Sequence, residues 1–307
     1  MKSQYLPPLV DMSTIATANM LAAILIRQDY IINILFRLCL LVPKRWPLRV
    51  RCILAKVYEY GGLHSGAAVC SLLWFIAFSI VLTWKLIMVG SIDALLLAYT
   101  FAVTLTLLVI ICLAYPNLRS RKHDRFEHSH RLGNLAFIIL IFPMLILFNN
   151  ALGVPGDASS HGGLLFRLPA FWFVIVSVFH ILLPWLSLRR LKVTPERHLD
   201  HAISLHFSES IKFCRVYRIA EAPYKDWHPF ASIPDPDRKG GTLIVSKMGD
   251  WTTRTINNPK PYYWTRGIPT MGVLCVAELF TKLLIVTTGS GIGPCLGTML
   301  NLKDGRC

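Results

Sequence analysis

A glycine-rich turn near the end of the sequence is typical of nucleotide-binding chemistry. Residues 289–294 read GSGIGP and directly follow a continuous apolar, β-branched run, residues 283–288 (LLIVTT). Glycines let a backbone approach a phosphate or a nicotinamide closely, and a helix N-terminus offers free N–H groups to an anion. The pattern predicts a buried strand, a ligand-binding turn and a helix, which together open an α/β nucleotide-binding unit.

The cysteines and the common catalytic motifs indicate no further chemistry. No two of the eight cysteines stand in CxxC spacing, and several lie inside apolar runs, where cysteine behaves as a small hydrophobe. No metal site or redox pair is therefore predicted. The sequence also has no GxSxG, HExxH, P-loop or paired-carboxylate arrangement, so hydrolase and ATPase functions have no support.

Long apolar segments must position any such site. Hydrophobic residues make up 54% of the 307 residues and charged residues only 16%, which excludes a wholly soluble enzyme, a disordered chain and a small disulfide-stapled module. The apolar residues are concentrated in runs of about 20 residues, the length that crosses a bilayer. Five spans are predicted, at residues 18–42, 66–88, 92–115, 132–152 and 169–188.

The basic residues indicate the orientation of these spans. Three stretches are rich in Lys and Arg: those after the first, third and fifth spans. In contrast, residues 89–91 have no basic residue and residues 153–168 have only Arg167. The positive-inside rule then places the N-terminus outside and everything after residue 188 in the cytosol. The formal net charge of +15 is explained by a membrane surface, so no nucleic acid partner is predicted.

The first predicted span is interrupted by Arg27 and Asp29. A charged pair near a bilayer centre costs several kcal/mol unless it is paired or faces protein. One interpretation is a buried polar site. The favoured one is an interfacial or half-inserted helix, which would leave four spans.

After residue 190 the sequence changes character. Short segments with β character, at residues 201–207, 213–219 and 242–247, are separated by turn-rich pieces such as residues 232–241 (SIPDPDRKGG). This pattern predicts a small antiparallel sheet or barrel.

Three motifs in order then resemble the ferric reductase and NADPH oxidase superfamily. Residues 228–232 (HPFAS) resemble its flavin motif, residues 247–252 (KMGDWT) its flavin-diphosphate segment, and residues 288–294 (TGSGIGP) its nicotinamide-nucleotide motif. The likeness is greatest to fungal TmpA-type integral membrane flavoproteins and to the similar C-terminal regions of fungal adenylate-forming multidomain proteins. It also includes ANMLAAILIRQDY near the start and YYWTRGIPTMGVL before the last predicted strand.

This resemblance implies an FAD-binding barrel and an NAD(P)-binding domain, with hydride passing from nicotinamide to flavin. The residues implied to line the isoalloxazine are His228, Pro229, Phe230 and Ser232. Those implied to meet the diphosphate are Lys247, Gly249 and Thr252. Those implied to face the nicotinamide nucleotide are Gly289, Gly291, Gly293 and Pro294.

The sequence departs from the family pattern in three ways. Ala231 replaces a hydroxyl-bearing residue of the flavin motif, and Ser232, its neighbour in a strand, points to the opposite face. Haem is not expected, because none of His64, His130 and His180 has a second histidine about 13 residues along the same helix, as the haem-bearing relatives have. These histidines are then interfacial residues. The alternative is a single haem bound between His64 and His180. Only 13 residues follow Pro294, too few for further βαβ units, so NAD(P)H binding is doubtful.

The predicted fold is an α-helical membrane bundle of four or five spans (1–190), a small antiparallel β-barrel FAD-binding domain (191–280), and the start of an α/β nucleotide-binding domain (281–307). The predicted function is a membrane-anchored FAD-dependent oxidoreductase, passing electrons from NAD(P)H to an unknown acceptor. The alternative is a catalytically inactive or truncated membrane scaffold or regulatory protein, and a transporter is the weakest hypothesis. The predicted partners are the lipid bilayer and an unknown protein acceptor.

Overall fold

A computed structural model describes residues 6–121, 123–152, 165–209, 211, 213–235 and 240–303 of the chain. The loop at residues 153–163, which the orientation argument uses, lies outside the described residues. The chain forms two compact units. A helical unit comprises Met1–Ile26 and Gly61–Ile181, and a sheet unit comprises Arg27–Tyr60 and Leu182–Cys307.

The described helices follow the apolar runs closely. They are α1 (Leu6–Leu25), α2 (Asp29–Leu40), α3 (Leu48–Ala55), α4 (Gly61–Val89), α5 (Ala94–Leu113), α6 (Pro116–Arg121), α7 (His123–Leu152), α8 (Pro169–Leu186), α9 (Asp250–Asn257) and α10 (Ile292–Lys303). Short 3₁₀ helices cover Lys56–Glu59, Val273–Leu279 and Gly289–Gly291. The Asp93 carboxylate accepts a hydrogen bond from the Leu96 N–H (3.0 Å) and so starts α5 directly after a short loop.

Five of the described helices are long and apolar enough to cross a membrane: α1, α4, α5, α7 and α8. Phe78 of α4 packs against Phe148 of α7, and their rings meet edge to face with centroids 5.1 Å apart. Only 17–33% of the most apolar stretch of each helix is buried. The predictions of spans at residues 66–88, 92–115, 132–152 and 169–188 therefore match α4, α5, α7 and α8 as apolar helices of the required length.

The first predicted span, residues 18–42, is wrong in its position. Helix α1 ends at Leu25, Gln28 is extended (φ −75°, ψ 134°), and a separate helix, α2, begins at Asp29. Helix α2 belongs to the sheet unit and buries Asp29, Ile32, Asn33 and Phe36. Asp29 and Asn33 have polar partners in the sheet unit, so a single continuous span is wrong and Asp29 belongs to a buried polar site. The interfacial helix stays a prediction.

The sheet unit contains eight antiparallel strands. They are β1 (Arg189–Lys192), β2 (Thr194–Leu199), β3 (Ala202–Phe207), β4 (Arg215–Ala220), β5 (His228–Pro234), β6 (Gly241–Ser246), β7 (Tyr262–Thr265) and β8 (Thr270–Met271). Their order is β1-β7-β4-β5-β6-β3-β2, with β8 paired to β4. The predicted strands near residues 201–207, 213–219 and 242–247 are β3, β4 and β6. Together the strands form a nearly closed, barrel-like sheet.

Alternation along the strands builds the core of this unit. In β6, Leu243 and Val245 point inward while Thr242 and Ile244 are half-buried, the period of two expected for a strand with one covered face. They pack with Ile203 and Leu205 of the neighbouring strand β3 and with Tyr263 of β7. This core holds β5 in place, and β5 carries the HPFAS segment.

The strand predicted at residues 283–288 is absent from the structure. The segment has no strand hydrogen bonding, and Leu284 and Val286 are 87% and 82% exposed. An extended run becomes a strand only when a neighbour accepts its hydrogen bonds, and none of the described strands pairs with it. The predicted helix does follow, as α10. It packs on β5, where a Cβ at Gly297 would lie only 3.2 Å from the Ser232 carbonyl oxygen.

Candidate functional site

The sheet unit encloses a small cavity of about 220 Å³. Four segments that are distant in the sequence form its walls: residues 214–216, β5, residues 272–274, and α10. The β5 residues at the wall are Pro229, Ala231 and Ser232, and those of α10 are Pro294 and Gly297. The lining is mostly apolar, as is usual for a small-molecule site.

Arg215 is the only charged side chain among the described residues that line this cavity. Its Nη1 donates a hydrogen bond to the Asn33 Oδ1 (3.2 Å), a neutral acceptor. Among the described residues, no carboxylate lies within ion-pair distance of its guanidinium. Arg215 is half-buried, and the guanidinium N–H groups that do not bind Asn33 can meet an anion.

Helix α2 contacts this arginine through Asn33, and Asp29, one turn earlier, binds a different arginine, Arg218. The Asn33 side chain accepts from the Met271 N–H (2.7 Å) and from Arg215, and it donates to the Pro269 carbonyl (3.1 Å). The Asp29 carboxylate forms an ion pair with Arg218 and accepts from the Ile268 N–H (3.2 Å). The two polar residues thereby bind the loop before β8. Sequence reasoning missed this arrangement because its members are more than 180 residues apart.

The residues of the HPFAS segment lie in two different environments. Ser232 is buried, and its hydroxyl donates to the Arg215 carbonyl (2.9 Å). Pro229 and Ala231 reach the cavity wall, as does Ser232. In contrast, the rings of His228 and Phe230 stack on Trp251 of α9, with centroids at 4.1 and 5.7 Å.

The residues of the KMGDWT segment have structural roles around the start of α9. The Thr252 hydroxyl accepts from the N–H groups of Met248 (2.8 Å) and Gly249 (3.0 Å) and donates to the Gly249 carbonyl (2.9 Å). The Lys247 side chain is exposed, and its N–H donates to the His201 carbonyl (2.9 Å). This hydrogen bonding closes the turn and begins the helix.

The glycine-rich turn lies beside these segments. Gly289 has a positive φ of 52°, which suits glycine, and is exposed. Gly291 follows in the same 3₁₀ turn, and Gly293 is buried with β6 behind it, at Ile244. Of the four implied nucleotide residues, Pro294 alone reaches the cavity wall. The Ser290 hydroxyl lies 3.7 Å from the Met248 sulfur, so the last two motifs meet at the surface.

This arrangement does not suit a flavin as the resemblance implied. The faces of His228 and Phe230 are in contact with Trp251, and Thr252 is engaged in its own turn, so a ring and diphosphate would have to displace both. The cavity itself is also below the roughly 300–1,000 Å³ of a typical cofactor or drug-sized pocket. FAD and NAD(P)H binding therefore stay predictions without support from this geometry.

All three histidines considered for haem have contacts within the helical unit. The His64 Nδ1 lies 2.8 Å from the Ala23 carbonyl oxygen, and its ring meets that of His130 edge to face at 6.2 Å. The His180 Nδ1 lies 2.7 Å from the carbonyl oxygen of Val176, one turn earlier in α8. These contacts are those of histidines that satisfy backbone carbonyls and pack on neighbouring rings.

The cavity wall also includes a cysteine that no sequence motif indicated. Cys214 lies at the wall, and the buried Cys275 contacts it from the 3₁₀ helix that follows Gly272. Because 60 residues separate the two cysteines, only the fold brings them together.

The fold and the site define a class of protein with a unit of long apolar helices and a unit of antiparallel strands, the second of which has a small, mostly apolar cavity. A family described as "Adenylate-forming reductase 03009, C-terminal domain" matches residues 273–307. Two curated proteins of Coprinopsis cinerea are similar over most of the chain. Adenylate-forming reductase 03009 is 39% identical over 282 residues, and adenylate-forming reductase 06235 is 38% identical over 289 residues.

These alignments cover 92% and 93% of this chain but only 27% and 28% of the two relatives. The chain thus spans about a quarter of the length of the curated relatives it matches. The prediction of a TmpA-type flavoprotein of the ferric reductase and NADPH oxidase superfamily is wrong, because the relatives are named adenylate-forming reductases. The predicted membrane FAD oxidoreductase function is wrong for the same reason, and its scaffold alternative assumed the same ancestry.

Proposed function

We propose that the sheet unit of this chain binds a small, largely apolar carboxylic acid, and that it does so as part of an adenylate-forming reductase. The observation that carries the proposal is the cavity with Arg215 at its wall, where no carboxylate of the described residues forms an ion pair with this arginine. Adenylate formation starts from a carboxylate. The similarity to proteins of that name therefore agrees with an anion-binding group in an apolar pocket.

The size of the cavity limits the ligand. A volume of about 220 Å³ admits a single ring or a short aliphatic chain, but not a dinucleotide. Gly297 contributes to this space, because its close approach to β5 brings the helix α10 against the wall without a side chain in between. The cavity thus suits an organic acid or its reduced product rather than a complete cofactor.

The binding energy comes from two sources. Apolar contact with residues such as Val216, Val273 and Leu274 removes the ligand from water. The guanidinium of Arg215 can meet a carboxylate with two parallel N–H donors while Asn33 holds its other side. A charge-assisted hydrogen bond of this kind contributes about 1.5–3 kcal/mol.

Replacing Arg215 with glutamine is expected to weaken carboxylate binding by roughly 10- to 100-fold, the equivalent of that charge-assisted bond. Isothermal titration of the purified chain in detergent with benzoate measures the effect. Benzyl alcohol, which has the ring without the charge, is expected to bind weakly and equally to both proteins.

The matched control is Arg190→Gln. Arg190 is in the same unit but stacks on Tyr262 and Trp264 away from the cavity, so benzoate affinity is expected to stay unchanged. Equal benzoate affinity for the parent chain and the Arg215 variant, or no benzoate binding at all, would overturn the proposal.

We also propose that the helical unit crosses a bilayer with the sheet unit on the cytosolic side. Large apolar side chains face outward on several sides of the long helices; examples are Leu73, Ile80, Leu105, Ile139 and Phe179. A helix that is apolar all round needs either protein or lipid around it, and these side chains are more than half exposed. Lipid is the occupant that their length and composition favour.

This topology predicts that one of two inserted glycosylation acceptor sites is modified and the other is not. An acceptor inserted at Ser91, between α4 and α5, is expected to be glycosylated when the chain is made in the presence of microsomes. One inserted at Ser120, in the basic α6 region, is expected to stay unmodified. Modification of the second site and not the first would reverse the orientation, and release of the chain by carbonate extraction would exclude spanning.

A further inference from the structure

Cys275 contacts Cys214 directly by a hydrogen bond, and Gly272 exchanges two further hydrogen bonds with Cys214. The Cys275 thiol donates to the Cys214 carbonyl (3.2 Å), and the Cys214 thiol donates to the Gly272 carbonyl (3.6 Å). The Gly272 N–H also donates to the Cys214 carbonyl (3.0 Å). Both cysteines are free thiols in the structure.

The backbone at Cys214 is strained. Its φ of 53° makes it the one described non-glycine residue with a positive φ. A residue of this type in the left-handed region costs of order 1 kcal/mol or more, and it persists where the surroundings over-determine it. Here the three hydrogen bonds to the segment that contains Gly272 and Cys275 hold it. The strain places the Cys214 thiol beside the Cys275 thiol and at the cavity wall.

The pKa values of the two thiols shift in opposite directions. Hydrogen bonding between the two side chains is the first cause of the shift in both. It lowers the pKa of Cys275, with the charge of Arg215 and the Gly272 backbone assisting and burial opposing. It raises the pKa of Cys214, and burial raises that pKa further. Cys275 is therefore the more readily deprotonated thiol of the pair.

We propose that Cys214, at the wall of the cavity, and Cys275, in contact with it, form a redox-active dithiol, which a small hydroperoxide converts into a disulfide. The site is distinct from carboxylate binding in its chemistry, although both use the same cavity. It takes a two-electron oxidant small enough to enter that space.

The reaction balances in two steps. The Cys275 thiolate attacks one peroxide oxygen, the O–O bond breaks, and the leaving oxygen takes a proton to depart as water or an alcohol. Cys275 is then a sulfenic acid. The Cys214 sulfur attacks the Cys275 sulfur, an S–S bond forms, and the sulfenic oxygen leaves as water with the Cys214 proton. Two thiols are oxidised by two electrons and one peroxide is reduced.

Peptide mass spectrometry of the purified chain in detergent tests this directly. The protein is treated with hydrogen peroxide, its remaining thiols are blocked with N-ethylmaleimide, and its peptides are mapped. The expected product is a Cys214–Cys275 linked peptide, formed at peroxide concentrations at least about tenfold below those that oxidise the exposed Cys52.

Two variants resolve the order of events. In Cys214→Ser the disulfide is lost, and a dimedone-trapped sulfenic acid is expected at Cys275. In Cys275→Ser, Cys214 is expected to react no faster than Cys52. Cys295→Ser, another buried cysteine, serves as the control and keeps the linked peptide.

Peptide mapping of the unmodified chain alone shows whether peroxide forms the Cys214–Cys275 disulfide. The test therefore holds even if a variant fails to fold. Equal maleimide labelling of both cysteines before and after peroxide, or oxidation no faster than at Cys52, would overturn the proposal. Benzoate titration of the reduced protein reports separately on the carboxylate proposal.

Discussion

Replacing Asp29 with asparagine is expected to lower the free energy of unfolding by about 3 kcal/mol. The carboxylate is 8% exposed, whereas its partner Arg218 retains 30%, so the loss lies at the lower end of the range for a broken buried pair. The variant leaves the Arg218 guanidinium without its counter-charge and removes a charged acceptor from the Ile268 N–H. For a unit of this size the apparent unfolding temperature in detergent should fall by roughly 6–12 °C.

The control for this prediction is Glu209→Gln. Glu209 also pairs with an arginine, Arg189 at 3.4 Å, but both side chains are half-exposed. Water screens such a pair, so the change in unfolding free energy should stay within about 1 kcal/mol. Similar small losses for both variants would show that α2 does not depend on Asp29 for its attachment to the sheet unit.

Replacing Trp251 with alanine is expected to cost about 4 kcal/mol of unfolding free energy. The indole is buried and contacts three aromatic rings, those of His228, Phe230 and Tyr263. Its removal leaves a cavity between α9 and the sheet that backbone movement cannot close, because Thr252 and Gly249 anchor the start of the helix. Thermal unfolding followed by near-UV circular dichroism measures the loss, expected at roughly 8–16 °C.

Trp46→Ala is the matched control, since this tryptophan is exposed and in the same unit. It should change the unfolding free energy by less than about 1 kcal/mol. Trp251→Phe should retain most of the stability because it keeps a ring against His228. An alanine variant as stable as the Trp46 control would show that the ring stack contributes nothing to the fold.

The helical unit could be read from the sequence because span length and apolar composition are local properties. Four predicted spans coincide with α4, α5, α7 and α8 as helices of sufficient length. The first prediction went wrong at Arg27 and Asp29, where the sequence showed a charged interruption but not its cause. The partners of Asp29 lie near residues 218 and 268, and no local pattern connects them.

The family assignment went wrong for a related reason. Short motifs such as HPFAS and GDWT were interpreted as cofactor contacts by resemblance. In the structure Trp251 covers His228 and Phe230, while Thr252 closes the turn before α9. A few residues in the right order leave open whether they face a ligand or each other. The alignments over more than 90% of the chain carry far more information; they contradict the likeness to TmpA-type flavoproteins and agree with the second likeness, to adenylate-forming proteins.

The sequence by itself determined where the apolar helices and most strands lie, because hydrophobic runs and period-two alternation act over a few neighbouring residues. It also placed the helix that follows the glycine-rich turn. Only the tertiary structure decided that residues 283–288 form no strand, that α2 joins the sheet unit, and that Cys214 and Arg215 line a cavity while Cys275 contacts Cys214. Strand pairing, ion pairs and thiol contacts each need a partner, and here the partners are distant in the chain, so no local pattern of residues specifies them.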